Sequence, residues 1–174
     1  MEIINYLVKI IDTIGYFGPQ ILFCTSIYLL FYKWSTLFIY FLGFGINILI
    51  NIVLKAFIQQ PRPEEDKRLF NLEILNGKRI GFDRYGMPSG HAEAVFFSTS
   101  YIFFVLNNFW ISFMFLMLSV LTCIQRTVYK NHTISQVCVG GIIGIIVGWG
   151  FYLYNVRVIK GSLREKEDDN APID

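Results

Sequence analysis

A chain of 174 residues that is 54% hydrophobic and 17% aromatic but only 16% charged, with a mean hydropathy of +0.49, departs from soluble composition. Soluble domains are about 45–50% apolar and about 25% charged, so disorder and a water-soluble globular enzyme are excluded and a membrane protein is indicated. The net charge of +2, from 15 basic and 13 acidic residues, is too balanced for nucleic-acid binding by electrostatics, and the length suits one domain.

In chain order, the first segment is amphipathic. Ile3, Ile4, Leu7, Ile10, Ile11 and Ile14 share one helical face, opposite Glu2, Asn5, Lys9 and Asp12. That pattern predicts a helix lying in the membrane interface rather than crossing it. An acidic start without a small-residue cleavage site argues against a removable leader. Four uncharged runs follow: Thr13–Tyr32 (20 residues), Trp34–Leu54 (21), Ala94–Gln125 (32) and Thr133–Val156 (24). About 20 apolar residues cross a ~30 Å hydrocarbon core. The first, second and fourth runs are therefore one span each, and the third divides at Asn107-Asn108 into two. The predicted fold is all-α: a polytopic bundle of five transmembrane helices plus the N-terminal interfacial helix. One domain covers residues 1–160, and 161–174 form a flexible mixed-charge tail.

Between the second and third spans lies the polar loop 61–88, in which Asn76-Gly77 predicts a small hairpin flanked by Leu72–Leu75 and Lys78–Phe82. Cys24, Cys123 and Cys138 lie in apolar runs without CxxC spacing and are read as packing residues. Gly140, Gly141, Gly144, Gly148 and Gly150 form a small-residue helix-packing series. The sequon Asn131-His132-Thr133 lies against the membrane and is expected to stay unmodified.

Ionisable groups at the ends of membrane helices are costly and therefore informative. Lys55 and Arg62 close the second span, Ser89, Gly90 and His91 open the third, Arg126 closes the fourth and His132 opens the fifth. Alternating span direction brings all of these to one membrane face. Each cation alone reads as a snorkelling anchor; gathered with both histidines, they read as a site. Three cations and the amides of a helix start form an anion cradle suited to phosphate. In it Ser89 can cap the helix and Gly90 admits a close backbone approach, while the two histidines suit nucleophile and general acid. No Asp/Glu cluster of metal-ligand spacing is visible, so no metal or other cofactor is expected. Glu64, Glu65 and Asp66 are read as a solvated loop, and Glu93 as a helix-start cap.

The spacings Lys55-x6-Arg62-Pro63, Pro88-Ser89-Gly90-His91 and Arg126-x5-His132 resemble, in order, the three signature motifs of the type 2 phosphatidic acid phosphatase superfamily of membrane lipid phosphatases. The resemblance implies that Lys55, Arg62, Ser89, Gly90 and Arg126 hold phosphate, that His132 attacks it to form a phosphohistidine, and that His91 protonates the leaving oxygen. Two positions depart from the pattern. Gln125 stands where Ser is usual, and Gln136 where Asp usually follows the nucleophile by four residues. Gln136 lies one turn from His132 and can accept the imidazole N–H, but it cannot stabilise a cation. Tyr85-Gly86-Met87-Pro88-Ser89, Val128-Tyr129 and His132-Thr133-x-x-Gln136-Val137 are similar to the dolichyl diphosphatase branch, where Gln is usual.

The resemblance therefore implies a polyprenyl diphosphate substrate, whose phosphate leaving group demands less of the base. A broad lipid-monophosphate phosphatase, a sugar-phosphate phosphatase, an anion-selecting channel and a catalytically weak scaffold are the alternatives. Ten of the fifteen Lys and Arg lie on the site's face. The positive-inside rule alone would make that face cytoplasmic, whereas the resemblance implies a luminal or external site in an endomembrane such as the endoplasmic reticulum.

Overall fold

The computed structural model describes residues 2–63, 74–75, 78–79 and 81–168. Helix α1 (Glu2–Tyr16) is followed, after Phe17 alone, by α2 (Gly18–Leu30). The segments Val8–Tyr16 and Gly18–Leu30 meet at 64°. Pro19, at the start of α2, has no N–H for the Gly15 carbonyl, and its ring excludes that carbonyl from a continuing helix. The run Thr13–Tyr32 is thus broken rather than one straight span. With 13 residues, α2 is about 20 Å long, short of a hydrocarbon core.

Helices α3 (Trp34–Ile58), α4 (Gly90–Leu106), α5 (Phe109–Val128) and α6 (Ile134–Asp168) complete the bundle. Helices α3, α5 and the Ile134–Lys160 part of α6 are long and apolar enough to cross a membrane, and the bent α1–α2 pair brings the number to four. The remaining apolar helix, α4, has only 17 residues, which is why length alone counts fewer crossings than the five predicted. Asn107 and Asn108 separate α4 from α5 for a local reason. Asn107 takes the left-handed conformation that ends a helix, and the Asn108 side chain accepts the Ile111 N–H at 3.1 Å. Helix α6 continues to Asp168, into the segment expected to form a tail.

Two short strands, β1 (Ile74–Leu75) and β2 (Lys78–Arg79), pair antiparallel with Leu75 opposite Lys78. The turn residues Asn76-Gly77 between them, the acidic Glu64, Glu65 and Asp66, and residues 169–174 lie outside the described residues.

Helix α4 is the centre of the bundle. Its Val95, Phe97, Tyr101 and Ile102 are buried against Leu22 and Leu30 of α2, Leu37, Ile39 and Tyr40 of α3, and Phe115 of α5. Polar tips within this core are paired: the Tyr101 hydroxyl donates to the Thr36 carbonyl at 2.9 Å, and the Tyr40 and Ser98 hydroxyls share a bond of 2.9 Å. Helix α6 packs backbone to backbone on α4. A Cβ at Gly140 would stand 2.5 Å from the Ser89 carbonyl oxygen, one at Gly148 2.7 Å from that of Phe97, and one at Gly144 would overlap that of Glu93. Small residues every fourth position allow helices in lipid this closeness.

Candidate active site

One end of the bundle collects the polar groups. Lys55 sits in the last turn of α3 and Arg126 in that of α5, buried at 6% and 4% exposure. Ser89 precedes α4, while Gly90 and His91 form its first turn. His132, 2% exposed, lies in the link from α5 to α6, and Gln136 is buried in the first turn of α6. Arg62 follows α3 and reaches across the chain to His132.

The imidazole of His132 is fixed from both sides. Arg62 Nη1 donates to its Nε2 at 2.9 Å and to the Asn131 carbonyl at 2.8 Å. Arginine carries only donors, so Nε2 is the acceptor. The proton is therefore on Nδ1, which donates to the Gly86 carbonyl at 2.8 Å and lies 3.3 Å from Gln136 Oε1. Burial, foremost, and then the charges of Arg62, Arg126, Lys55 and His91 hold the His132 pKa well below the ordinary histidine value of 6.5. The result is a neutral imidazole whose Nε2 lone pair points into a cationic pocket.

Gln136 is more than the partner of His132. Its Oε1 also accepts the Thr133 N–H at 3.2 Å, while its Nε2 donates to the Pro61 carbonyl at 2.9 Å and to Gln60 Oε1 at 3.2 Å. Its own carbonyl accepts the Ser89 N–H at 3.0 Å. Through its side-chain amide and its backbone carbonyl, one residue thus ties the Arg62 segment, the histidine link and the start of α4 together. Gly86 makes room for it, since a Cβ there would lie 2.5 Å from Gln136 Oε1. The two ends of the polar loop meet here as well, through the Gly86 N–H to the Gln60 carbonyl at 2.8 Å and a bridge between Pro61 and Tyr85.

Ser89 occupies the N-cap position, but its side chain makes no cap bond. Its buried Oγ has no hydrogen-bond partner among the described residues. The expected capping role is therefore not observed, and the hydroxyl remains for a ligand. Gly90 lets Asn51 approach, with its Oδ1 3.2 Å from where a Cβ would be.

Five groups escaped sequence reasoning. Glu93, read from the sequence only as a helix-start cap, lies in the first turn of α4 but is fully buried, and it accepts a 2.6 Å bond from Asn51 Nδ2. Asn47, Asn51 and Lys55, all buried on α3, follow the four-residue period of one helical face, a signal that could have identified the first two. The Gly86 carbonyl left no trace in residue type. Neither did Tyr16, whose ring meets both His91 and Arg126. Among the described residues no group of three or more His, Cys, Asp or Glu has the arrangement of a metal site.

Comparison with known proteins places these residues in a family. Residues 36–160 match the PAP2 superfamily. The chain is 30% identical to the dolichyldiphosphatase of Saccharomyces cerevisiae over 124 residues, covering 66% of this chain and 49% of that protein. It is 33% identical to the lipid A 4'-phosphatase of Helicobacter pylori over 100 residues, 52% of this chain and 48% of that one. With the human dolichyldiphosphatase 1 it shares 28% identity over 134 residues, 67% and 52% of the two chains. The chain thus spans about half the length of these curated relatives. No solved structure matches it. With the match covering Lys55, Arg62, the Ser89–His91 segment, Arg126 and His132 in one continuous stretch, the chain belongs to the PAP2 superfamily.

Proposed function

We propose that the protein is an integral-membrane lipid phosphatase that hydrolyses a polyprenyl, dolichyl-type, diphosphate to the monophosphate through a phosphohistidine, without a metal. The observation that carries this reading is the state of His132: neutral, protonated on Nδ1, and presenting Nε2 among cations.

In this mechanism the terminal phosphate is held by Lys55, Arg62 and Arg126, with the Ser89 hydroxyl and the first amides of α4 completing the cradle. Arg62 exchanges its bond to Nε2 for one to a phosphate oxygen. Nε2 then attacks phosphorus, and the bond from phosphorus to the bridging oxygen breaks. His91 delivers its proton to that oxygen, and the lipid monophosphate leaves. His91 next takes a proton from water, which attacks the phosphohistidine and returns His132 with release of inorganic phosphate. Gln136 acts by positioning. The cations supply the charge neutralisation that Mg²⁺ provides in many phosphoryl transfers.

A lipid substrate accords with the surroundings. An apolar groove of about 360 Å³ between α4, α5 and α6, lined by Phe96, Phe103, Phe104, Phe113 and Leu116 with Ile145, has the chemistry to receive a prenyl or acyl chain. We count five crossings, taking α1–α2 as one and α4 as another. Alternation then puts the end of α3, the start of α4, the end of α5 and the start of α6 on one face, which we assign to the lumen of the endoplasmic reticulum or another endomembrane. The similarity to a lipid A 4'-phosphatase favours a second reading, hydrolysis of a lipid monophosphate.

The test is phosphate release from a long-chain polyprenyl diphosphate by detergent-purified protein in EDTA, beside phosphatidic acid and the His132→Ala variant. Release that persists in EDTA and disappears in the variant is expected. Preference for phosphatidic acid would select the second reading, and folded protein inactive on both lipids would leave a scaffold.

A further inference from the structure

The match to the family begins at residue 36, yet a residue upstream of it touches two of the site residues. Tyr16, the last residue of α1, sits with its ring centroid 5.6 Å from that of His91 and 5.5 Å from the Arg126 guanidinium carbon, which lies over the ring. These two residues belong to different helices, the start of α4 and the end of α5. One aromatic side chain therefore bridges a phosphate-binding cation and the general acid of the proposed mechanism.

The placement of Tyr16 is built into α1 and its junction. The 64° bend at Phe17 turns α1 away from the line of α2, and contacts on both sides of the bend hold this corner to α5 and to Tyr129 just beyond it. Gly15 lies so close to Gln125 that a Cβ would be 2.8 Å from the Gln125 Cβ, and Gly18 faces Thr122 too closely for any side chain. At the outer end the Tyr129 hydroxyl donates to Asp12 Oδ2 at 2.6 Å. That bond and the nearby carboxylate push the Tyr129 pKa up to about 12, so the latch persists throughout the physiological range.

We propose that Tyr16 is a positioning residue of the phosphate site, and that α1 is the strap that carries it there. This inference rests on the lipid-phosphatase reading. A carboxylate beside Arg126 would neutralise it and occupy its N–H groups. An aromatic face instead attracts the cation through its charge, and contact with a ring does not consume the in-plane donors that phosphate requires. The same ring limits the rotation of His91, whose proton has to meet the leaving oxygen. Both effects operate on the transition state more than on lipid binding, so they belong in kcat.

The experiment measures kcat and KM on the lipid diphosphate, and inhibition by orthovanadate, for wild type, Tyr16→Ala and Tyr16→Phe in detergent. Tyr16→Ala is expected to lose about tenfold or more in kcat and to bind vanadate more weakly by a similar factor, with KM little changed. Tyr16→Phe is expected to restore both, because the ring makes the contacts. Wild-type kcat in Tyr16→Ala, a loss confined to KM, or equal damage in Tyr16→Phe would each overturn the inference. If Tyr16→Ala does not fold, Tyr129→Phe decides. It releases the α1 latch without touching the pocket and is expected to lower kcat a few-fold, and an unchanged kcat would overturn the strap. An inactive wild type would overturn the lipid-phosphatase reading itself, whereas an active wild type with an unaffected Tyr16→Ala overturns this inference alone.

Discussion

At the scale of single residues, the chemistry turns on which groups donate and which accept. The His132 tautomer follows from Arg62 having no acceptor and the Gly86 carbonyl having no donor. Gln136 departs from the Asp usual in the resembling motifs, and its contacts give the departure a structural reason: its amide N–H groups bond Pro61 and Gln60. Asp is shorter by one methylene and acceptor-only when ionised. Gln136→Asp is therefore expected to lower activity about tenfold or more rather than raise it, because the Arg62 segment loses its anchor while a buried acceptor faces the Pro61 carbonyl. Phosphate release by the purified variant checks this. The depressed pKa of His132 also has a thermodynamic sign. The folded protein takes up this proton at lower pH than the unfolded chain does, so His132 is neutral with respect to stability above pH 6.5 and costs stability as pH falls below that value. The thermal midpoint in detergent is expected to fall from pH 7 to pH 5 in wild type, and less steeply in His132→Gln.

At the scale of elements, apolar run length and polar interruptions were legible, whereas bends and depth were not. Asn107-Asn108 divides a long apolar run because both residues favour helix-end conformations that need no tertiary partner. Phe17 divides another because Pro19 follows two residues later, a signal that counting uncharged residues overlooks. The glycines of α6 were legible as packing residues, although only the fold shows that they lie against the α4 backbone at Ser89, Glu93 and Phe97. This contact joins the helix that carries Gln136 to the helix that opens with Ser89 and His91. Gly144→Ala requires α4 and α6 to separate, and it is expected to cost about 1–3 kcal/mol of stability. A lowered thermal midpoint in detergent, with Gly150→Ala unchanged as a control, checks this, since a Cβ at Gly150 meets nothing within 4 Å.

At the scale of the whole molecule, the site is a product of alternation. Residues far apart in the chain, from Lys55 to Gln136, meet because successive apolar helices reverse direction, and this follows from order and length without knowledge of packing. The motif residues were legible for the same reason: ionisable side chains are rare within apolar runs, so each marks a helix end. Their partners were not. Glu93 and Asn51 face each other from different helices, the Gly86 carbonyl belongs to the backbone, and Tyr16 reaches His91 and Arg126 where the bent junction between α1 and α2 packs on α5 through Gly15 and Gly18. The chain's residues by themselves determined the membrane class, the order of the apolar segments and the gathering of cations and histidines at one end, because hydrophobic length and periodicity are local properties. Only the tertiary structure decided the tautomer of His132, the bridging contacts of Gln136 and the meeting of Tyr16 with His91 and Arg126, because each depends on distances between elements that no local pattern encodes.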